Sequence, residues 1–234
     1  MPNRIYREAF DDDNGGWWGW ISNQLGPVKL ENRDRTLCTR SPWWIDYNHA
    51  PPGAGYLHML YCMNTKGPFS EAIMDAGGPN RFVEGGYPTD LAHARVTLRL
   101  RGELEPRGAH PMLLVQASSG GLVSGWLLTG QPFAVQPEWR EQTVALAPDR
   151  SQWTCLGGRH SRSDYYGYID LETVLADVNV NIMLVLFPLT IVPMGPIDGD
   201  PHLLRAGKDY PVWTSRLPEG YLLLDEVRIE FPDD

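Results

Sequence analysis

The clearest pattern along the chain is strict alternation at residues 94–101. Val96, Leu98 and Leu100 fall on one side, and Arg95, Thr97, Arg99 and Arg101 on the other. A period of two with one apolar face predicts a half-buried antiparallel strand. Residues 111–117 and 122–128 read as the next strands, with a Ser118-Ser119-Gly120-Gly121 turn between them. Residues 141–147 alternate as well. The runs 56–63 and 180–187 are apolar on both sides, which suits central strands covered on both faces. In the first run Tyr56, His58, Leu60 and Cys62 share one face, and Leu57, Met59, Tyr61 and Met63 the other. The last strand is 221–231, where Val227, Ile229 and Phe231 oppose Glu226, Arg228 and Glu230. The same parity puts Asp225 on the apolar side, where a carboxylate needs a partner.

One short helix is predicted over 170–177. Leu171, Val174 and Leu175 fall at i, i+3 and i+4, and Asp170 is placed to cap the start. The stretches 50–55, 77–89 and 188–213 read as long loops. The 24 glycines and 20 prolines fit many short elements joined by turns. These patterns predict an all-β, antiparallel sandwich, a single domain over 1–234 with long loops and one short helix.

Composition narrows the function classes. Hydrophobic residues make up 42% of the chain and charged residues 21%, enough for a buried core. The net charge of −9 repels a phosphate backbone, and no Lys/Arg run offsets it, so nucleic acid is not an expected partner. The longest apolar stretch, 178–192, is interrupted by Asn179, Asn181 and Pro188, so no membrane span is expected. The start, Met1-Pro2-Asn3-Arg4, lacks the basic and apolar regions of a signal peptide. That reads as a cytoplasmic protein or one whose signal has been removed. Cys38, Cys62 and Cys155 match no zinc spacing and read as core or near-surface thiols. No nucleophile elbow, Walker loop, dinucleotide fingerprint or His-Glu-x-x-His motif occurs.

Three segments carry a family resemblance. Phe10-Asp11-Asp12-Asp13, followed by Trp17, Trp18 and Trp20, resembles the start of galactose-binding-like jelly rolls, the β-sandwiches of many carbohydrate-binding modules. Leu223-Leu224-Asp225-Glu226-Val227-Arg228-Ile229 resembles their final strand. Trp139-Arg140-Glu141-Gln142-Thr143-Val144-Ala145-Leu146 resembles their segment of a tryptophan followed by an alternating strand. The resemblance implies jelly-roll architecture. It also implies a structural calcium tying the first strand to the last, with Asp225 as a ligand and Glu8 or Asp11 as its partner. A hydrogen bond from backbone to Asp225 is the other way to satisfy that carboxylate.

Nine tryptophans and ten tyrosines make aromatic faces the main candidate chemistry. Flat rings stack on the apolar C–H faces of sugars. In the pairs Trp17-Trp18, Trp43-Trp44 and Tyr165-Tyr166, adjacent side chains on extended backbone point opposite ways, so one of each pair at most faces a ligand. Trp43, Trp44, Asp46, Tyr47, Asn48 and His49 combine aromatic, carboxylate, amide and imidazole groups, the donors and acceptors that sugar hydroxyls need. Arg159, His160, Tyr165 and Tyr166 belong to the most basic loop of an acidic chain. The expected function is a carbohydrate-binding module that recognises a glycan through these residues. The alternative is a glycoside hydrolase or polysaccharide lyase on the same scaffold. Its catalytic candidates are His58 and Tyr56, with His49 as substitute base, and Arg95 and Arg99 to clamp a carboxylate. Arg95 and Arg99 otherwise pair with glutamates such as Glu226 and Glu230. A structural or assembly module is the third reading.

Overall fold

The computed structural model describes residues 5–22, 25–46, 56–67, 69–157, 165–189 and 216–232, the side chains at 21, 22 and 46 excepted. The first part of the chain holds β1 (Ile5–Glu8), β2 (Trp17–Ser22), β3 (Gly26–Val28), β4 (Glu31–Arg33), β5 (Thr36–Arg40), β6 (Ile45–Asp46) and β7 (Tyr56–Asn64). Two helices follow, α1 (Glu71–Gly77) and α2 (Arg81–Glu84). Then come β8 (Arg95–Glu105), β9 (His110–Ser119), β10 (Leu122–Leu127), β11 (Arg140–Ala145) and β12 (Thr154–Cys155). Helix α3 (Leu171–Ala176), β13 (Asn181–Leu189) and β14 (Glu219–Glu230) complete the described chain.

The strands form two antiparallel sheets, the sandwich that the alternation predicts. Among the described residues the first sheet has six strands, ordered β11-β8-β14-β5-β4, with β1 on β14. The second has eight, ordered β12-β10-β9-β13-β7-β2-β3, with β6 on β7. The first strand pairs with the last, Tyr6 opposite Ile229. The core between the sheets takes Val96, Leu98 and Leu100 from β8 and Leu113 and Val115 from β9. Polar bridges cross this core. The Tyr61 hydroxyl lies 2.8 Å from the Leu222 carbonyl and 3.1 Å from that of Leu37, both on the opposite sheet.

Two bulges change the side-chain parity that the sequence implies. In β14 the pairing with β8 slips between Leu224 and Glu226, so Asp225 is the extra residue. Leu222 and Leu224 face the core before it, and Val227 and Ile229 after it. The extra residue restores the apolar face and frees Asp225 from it. Asp225 is partly exposed and pairs with Arg99. In β7 the pairing with β13 skips Leu60. Leu60, Tyr61 and Met63 lie in the inter-sheet core, and Met59 and Cys62 on the other side.

The runs 56–63 and 180–187 form β7 and β13, adjacent in the second sheet and apolar on both faces. The outer face carries a second buried cluster that includes Trp18, Trp44, Leu57, Met59 and Val185. Ala76 and Ile73 of α1 pack on this cluster. The three cysteines are free thiols, Cys38 and Cys62 buried. Among the described residues no helix is long and apolar enough to cross a membrane.

Helix α3 starts where expected. The Asp170 side chain accepts from Thr173 N, and Leu171, Val174 and Leu175 are buried. The expectation of a single helix is corrected by α1 and α2. Ser70 caps α1 through Ile73 N, and Asn80 caps α2 through Val83 N. Both end at glycine within two turns, too short for a periodic stripe to develop.

Candidate functional site

The tryptophan pairs alternate, but neither member of either pair is open to solvent. Trp17 and Trp43 enter the inter-sheet core, while Trp18 and Trp44 enter the outer cluster. All four are at most 4% exposed. Trp20 joins Trp18 at 5.3 Å and Trp44 at 5.9 Å between ring centroids. Because both faces of the second sheet are covered, alternation moves these rings from one apolar environment to another. Asp46 belongs to β6, and its side chain lies outside the described residues. Tyr47, Asn48, His49, Arg159 and His160 lie outside them altogether.

The proposed catalytic group does not assemble. His58 is 1% exposed and lies beside Trp43, with ring centroids 5.8 Å apart. Its Nδ1–H donates to the Trp44 carbonyl at 3.0 Å, and its Nε2 has no hydrogen-bond partner among the described residues. Burial pushes the imidazole down to about 4, so it is neutral near pH 7. Tyr56 packs against the same inter-sheet core. Arg95 and Arg99 stand on the outer face of the other sheet. They pair with Glu230 at 3.9 Å and with Asp225. The strand parity that exposes the arginines turns His58 and Tyr56 away from them, so His58, Tyr56, Arg95 and Arg99 share no cleft.

Glu8, Asp11 and Asp225 do share one. A cleft of about 630 Å³ runs along β1 and the Asp225 bulge, lined also by Arg7, Arg81 and Arg99. Glu8 is 3% exposed and accepts from Arg81 Nη1 at 2.8 Å and from Phe10 N at 2.9 Å. Gly15, at φ +59°, leaves room for this carboxylate, since a Cβ there would stand 2.1 Å from Glu8 Oε2. Arg81 also reaches Asp13 at 3.0 Å, and Arg35 reaches Asp11 at 3.0 Å. Calcium needs several converging oxygens. Among the described residues no three His, Cys, Asp or Glu side chains converge, and arginine holds each of these carboxylates. Glu8, Asp11 and Asp225 as they stand fit guanidinium rather than calcium. The sequence gives no local sign of Arg81 as the partner of Glu8, because the two are 73 residues apart.

A third arrangement holds the open aromatic rings. Tyr165 is 41% exposed and Tyr168 54%, the large aromatic side chains most open to solvent among the described residues. Their segment is fixed to β10. Val123 N donates to the Tyr165 carbonyl at 2.7 Å, and Gly167 N donates to the Val123 carbonyl at 3.0 Å. Trp126 Nε1 donates to the Ile169 carbonyl at 2.9 Å. Tyr165 and Tyr166 meet edge to face at 4.7 Å, and Tyr168 meets buried Trp126 edge to face at 5.8 Å. The Arg150 guanidinium lies 5.5 Å from the Trp126 ring centre and 5.8 Å from that of Tyr168, and it donates to the Tyr168 hydroxyl. Sequence reasoning selects Tyr165 and Tyr166 but misses Tyr168 and Arg150. Tyr168 stands two residues beyond the chosen pair, whereas Arg150 has no local signal.

No family model matches the chain, and no curated protein matches its sequence. Solved structures show low overall similarity. One comes from work on endo-acting O-glycanases that prominent members of the human gut microbiota express to initiate mucin breakdown. It has a TM-score of 0.41 at 13% identity, with 97% of this chain and 99% of that chain covered. Another, from a solution study of the structure, dynamics and binding of CtCBM11, has a TM-score of 0.34 at 9% identity, with both chains covered in full. Values this low assign neither a family nor a ligand.

Proposed function

We propose that the protein is a glycan-binding β-sandwich that holds its ligand without turning it over. The observation that carries this reading is the tyrosine shelf. Tyr165 and Tyr168 present exposed rings on a segment pinned to β10 by backbone hydrogen bonds. A rigid aromatic face offers apolar area to a sugar ring at little entropic cost. Arg150 adds donors beside it. The Tyr168 oxygen accepts from Arg150, which leaves its own proton to donate to a sugar oxygen.

The test is a glycan array followed by thermal-shift titration of wild type, Tyr168→Ala and Tyr165→Ala. A ligand of the native state raises the melting temperature. The expected outcome is binding of a neutral glycan that weakens about tenfold or more in Tyr168→Ala, the equivalent of about 1.4 kcal/mol. Undiminished binding in both variants, or shortening of the bound glycan, would overturn the reading.

A further inference from the structure

Most arginines on the outer face of the first sheet have an acid. Arg7 lies 2.6 Å from Glu226, Arg228 3.1 Å from Glu230 and Arg95 3.9 Å from Glu230, while Arg99 is bonded to Asp225. Two stand apart. Arg101 has no carboxylate partner among the described residues. Its guanidinium lies 4.8 Å from the centre of the Trp139 ring, and its Nε is buried without a hydrogen-bond acceptor. Arg40 is exposed, also lacks a carboxylate partner among the described residues, and lies over the Tyr221 ring at 5.3 Å.

The sheet register brings them onto one strip. Arg101 is opposite Leu223 on β14, and Tyr221 on the same strand is opposite Arg40 on β5. The two arginines therefore flank β14, two strands and two residues apart. At ordinary sheet spacings that puts their Cα atoms on the order of 12 Å from each other. Half-buried Leu223 and Tyr221 lie between them. Ring faces hold both guanidiniums, and a guanidinium held this way presents its fork of N–H groups edge-on.

We propose that this strip binds an acidic glycan through carboxylates of uronate-type sugars, one at Arg101 and one at Arg40. Three observations converge. The half-buried Arg101 guanidinium lies against Trp139 with no acid beside it among the described residues, a charge that an incoming oxyanion neutralises. The planar carboxylate matches the guanidinium fork with two parallel hydrogen bonds. The chain is acidic overall, with a net charge of −9, and Arg101 and Arg40 are the cations of this face that no acid neutralises among the described residues, so an anion meets the face there. Leu223, with the Trp139 and Tyr221 rings, supplies apolar contact for the sugar C–H faces. The proposal rests on the glycan-binding reading for the kind of carrier, but it uses a different surface.

Isothermal titration with oligogalacturonate, its carboxyl-reduced neutral counterpart and a keratan sulfate oligosaccharide, which carries sulfate but no uronate, tests it. The proteins are wild type, Arg101→Gln, Arg40→Gln and Tyr168→Ala, each checked by thermal melting. The expected result is oligogalacturonate binding that falls about tenfold in either arginine variant and on carboxyl reduction, and is unchanged in Tyr168→Ala. Failure of every acidic probe to bind, or equal binding by wild type and both arginine variants, overturns the proposal. Binding of keratan sulfate alone overturns the carboxylate assignment. A Tyr168→Ala variant that loses both the neutral and the acidic ligand places them on one surface and overturns the separate strip. Loss of neutral binding alone in that variant, with the arginine effects intact, supports both sites independently.

Discussion

At the scale of single residues, the neutral imidazole of His58 ties stability to pH. Its folded-state value is about 4, against 6.5 ordinarily. Above pH 6.5 the ring is neutral whether the chain is folded or not, and its contribution is complete. As the pH falls from 6.5 towards 4, the unfolded chain takes up a proton that the folded one refuses. Stability is lost across that window, on the order of 3 kcal/mol from this group. His58→Gln keeps a donor for the Trp44 carbonyl and removes the titration. Urea unfolding at pH 7 and pH 4.5 should show a smaller acid loss in the variant than in wild type. Equal losses would assign the acid sensitivity to other groups. The alternation of residues 56–63 says which side chains share a face with His58, but not which face is closed. Coverage depends on chain elements far away in sequence, so a candidate base and a core histidine look alike until the sheets are stacked.

At the scale of elements, the bulge in β14 makes a sharp prediction. Deleting Asp225 puts Leu222, Leu224, Val227 and Ile229 at one parity, so the strand can pair with β8 without a bulge and keep its apolar face. No apolar side chain then has to leave the core, a change that would cost about 3–6 kcal/mol for two of them. Asp225→Ala removes only a partly exposed ion pair, worth about 1 kcal/mol or less. Chemical denaturation should therefore show deletion of Asp225 to cost little more than its replacement by alanine. A far lower midpoint for the deletion would mean that the bulge itself holds the strand in place. The carboxylate on an apolar face was visible in the sequence as an anomaly, and its resolution was not. A bulge is decided by the pairing partner, here β8, whose own alternation runs unbroken past it. Strands β7, β8, β13 and β14 and helix α3 were legible because each has a long apolar pattern or a capped apolar face. Short α1 and α2 were hidden among glycines.

At the scale of the molecule, the second sheet is covered on both faces, and this decides what its aromatics do. Trp17→Ala opens a cavity between the sheets, and Trp18→Ala opens one on the far side. Each should cost about 3–5 kcal/mol. Tyr168→Ala, at the surface, should cost about 1 kcal/mol or less. Denaturant midpoints check the contrast, and a Trp18→Ala variant as stable as wild type would show that the outer cluster is loosely packed. Tryptophan abundance makes aromatic rings the candidate chemistry, and the sandwich buries both members of both tryptophan pairs. Sequence shows that a ring is present and which neighbours alternate with it. Only assembled layers show that Trp43 and Trp44 are enclosed while Tyr165 and Tyr168 are open.

The place of β13 has a further consequence. It has β9 on one edge, β7 on the other, and buried apolar side chains above and below. No local fraying can bring water to its peptide groups. Its amide hydrogens therefore exchange with solvent only when the whole sandwich opens, which makes this strand the internal reference for global stability.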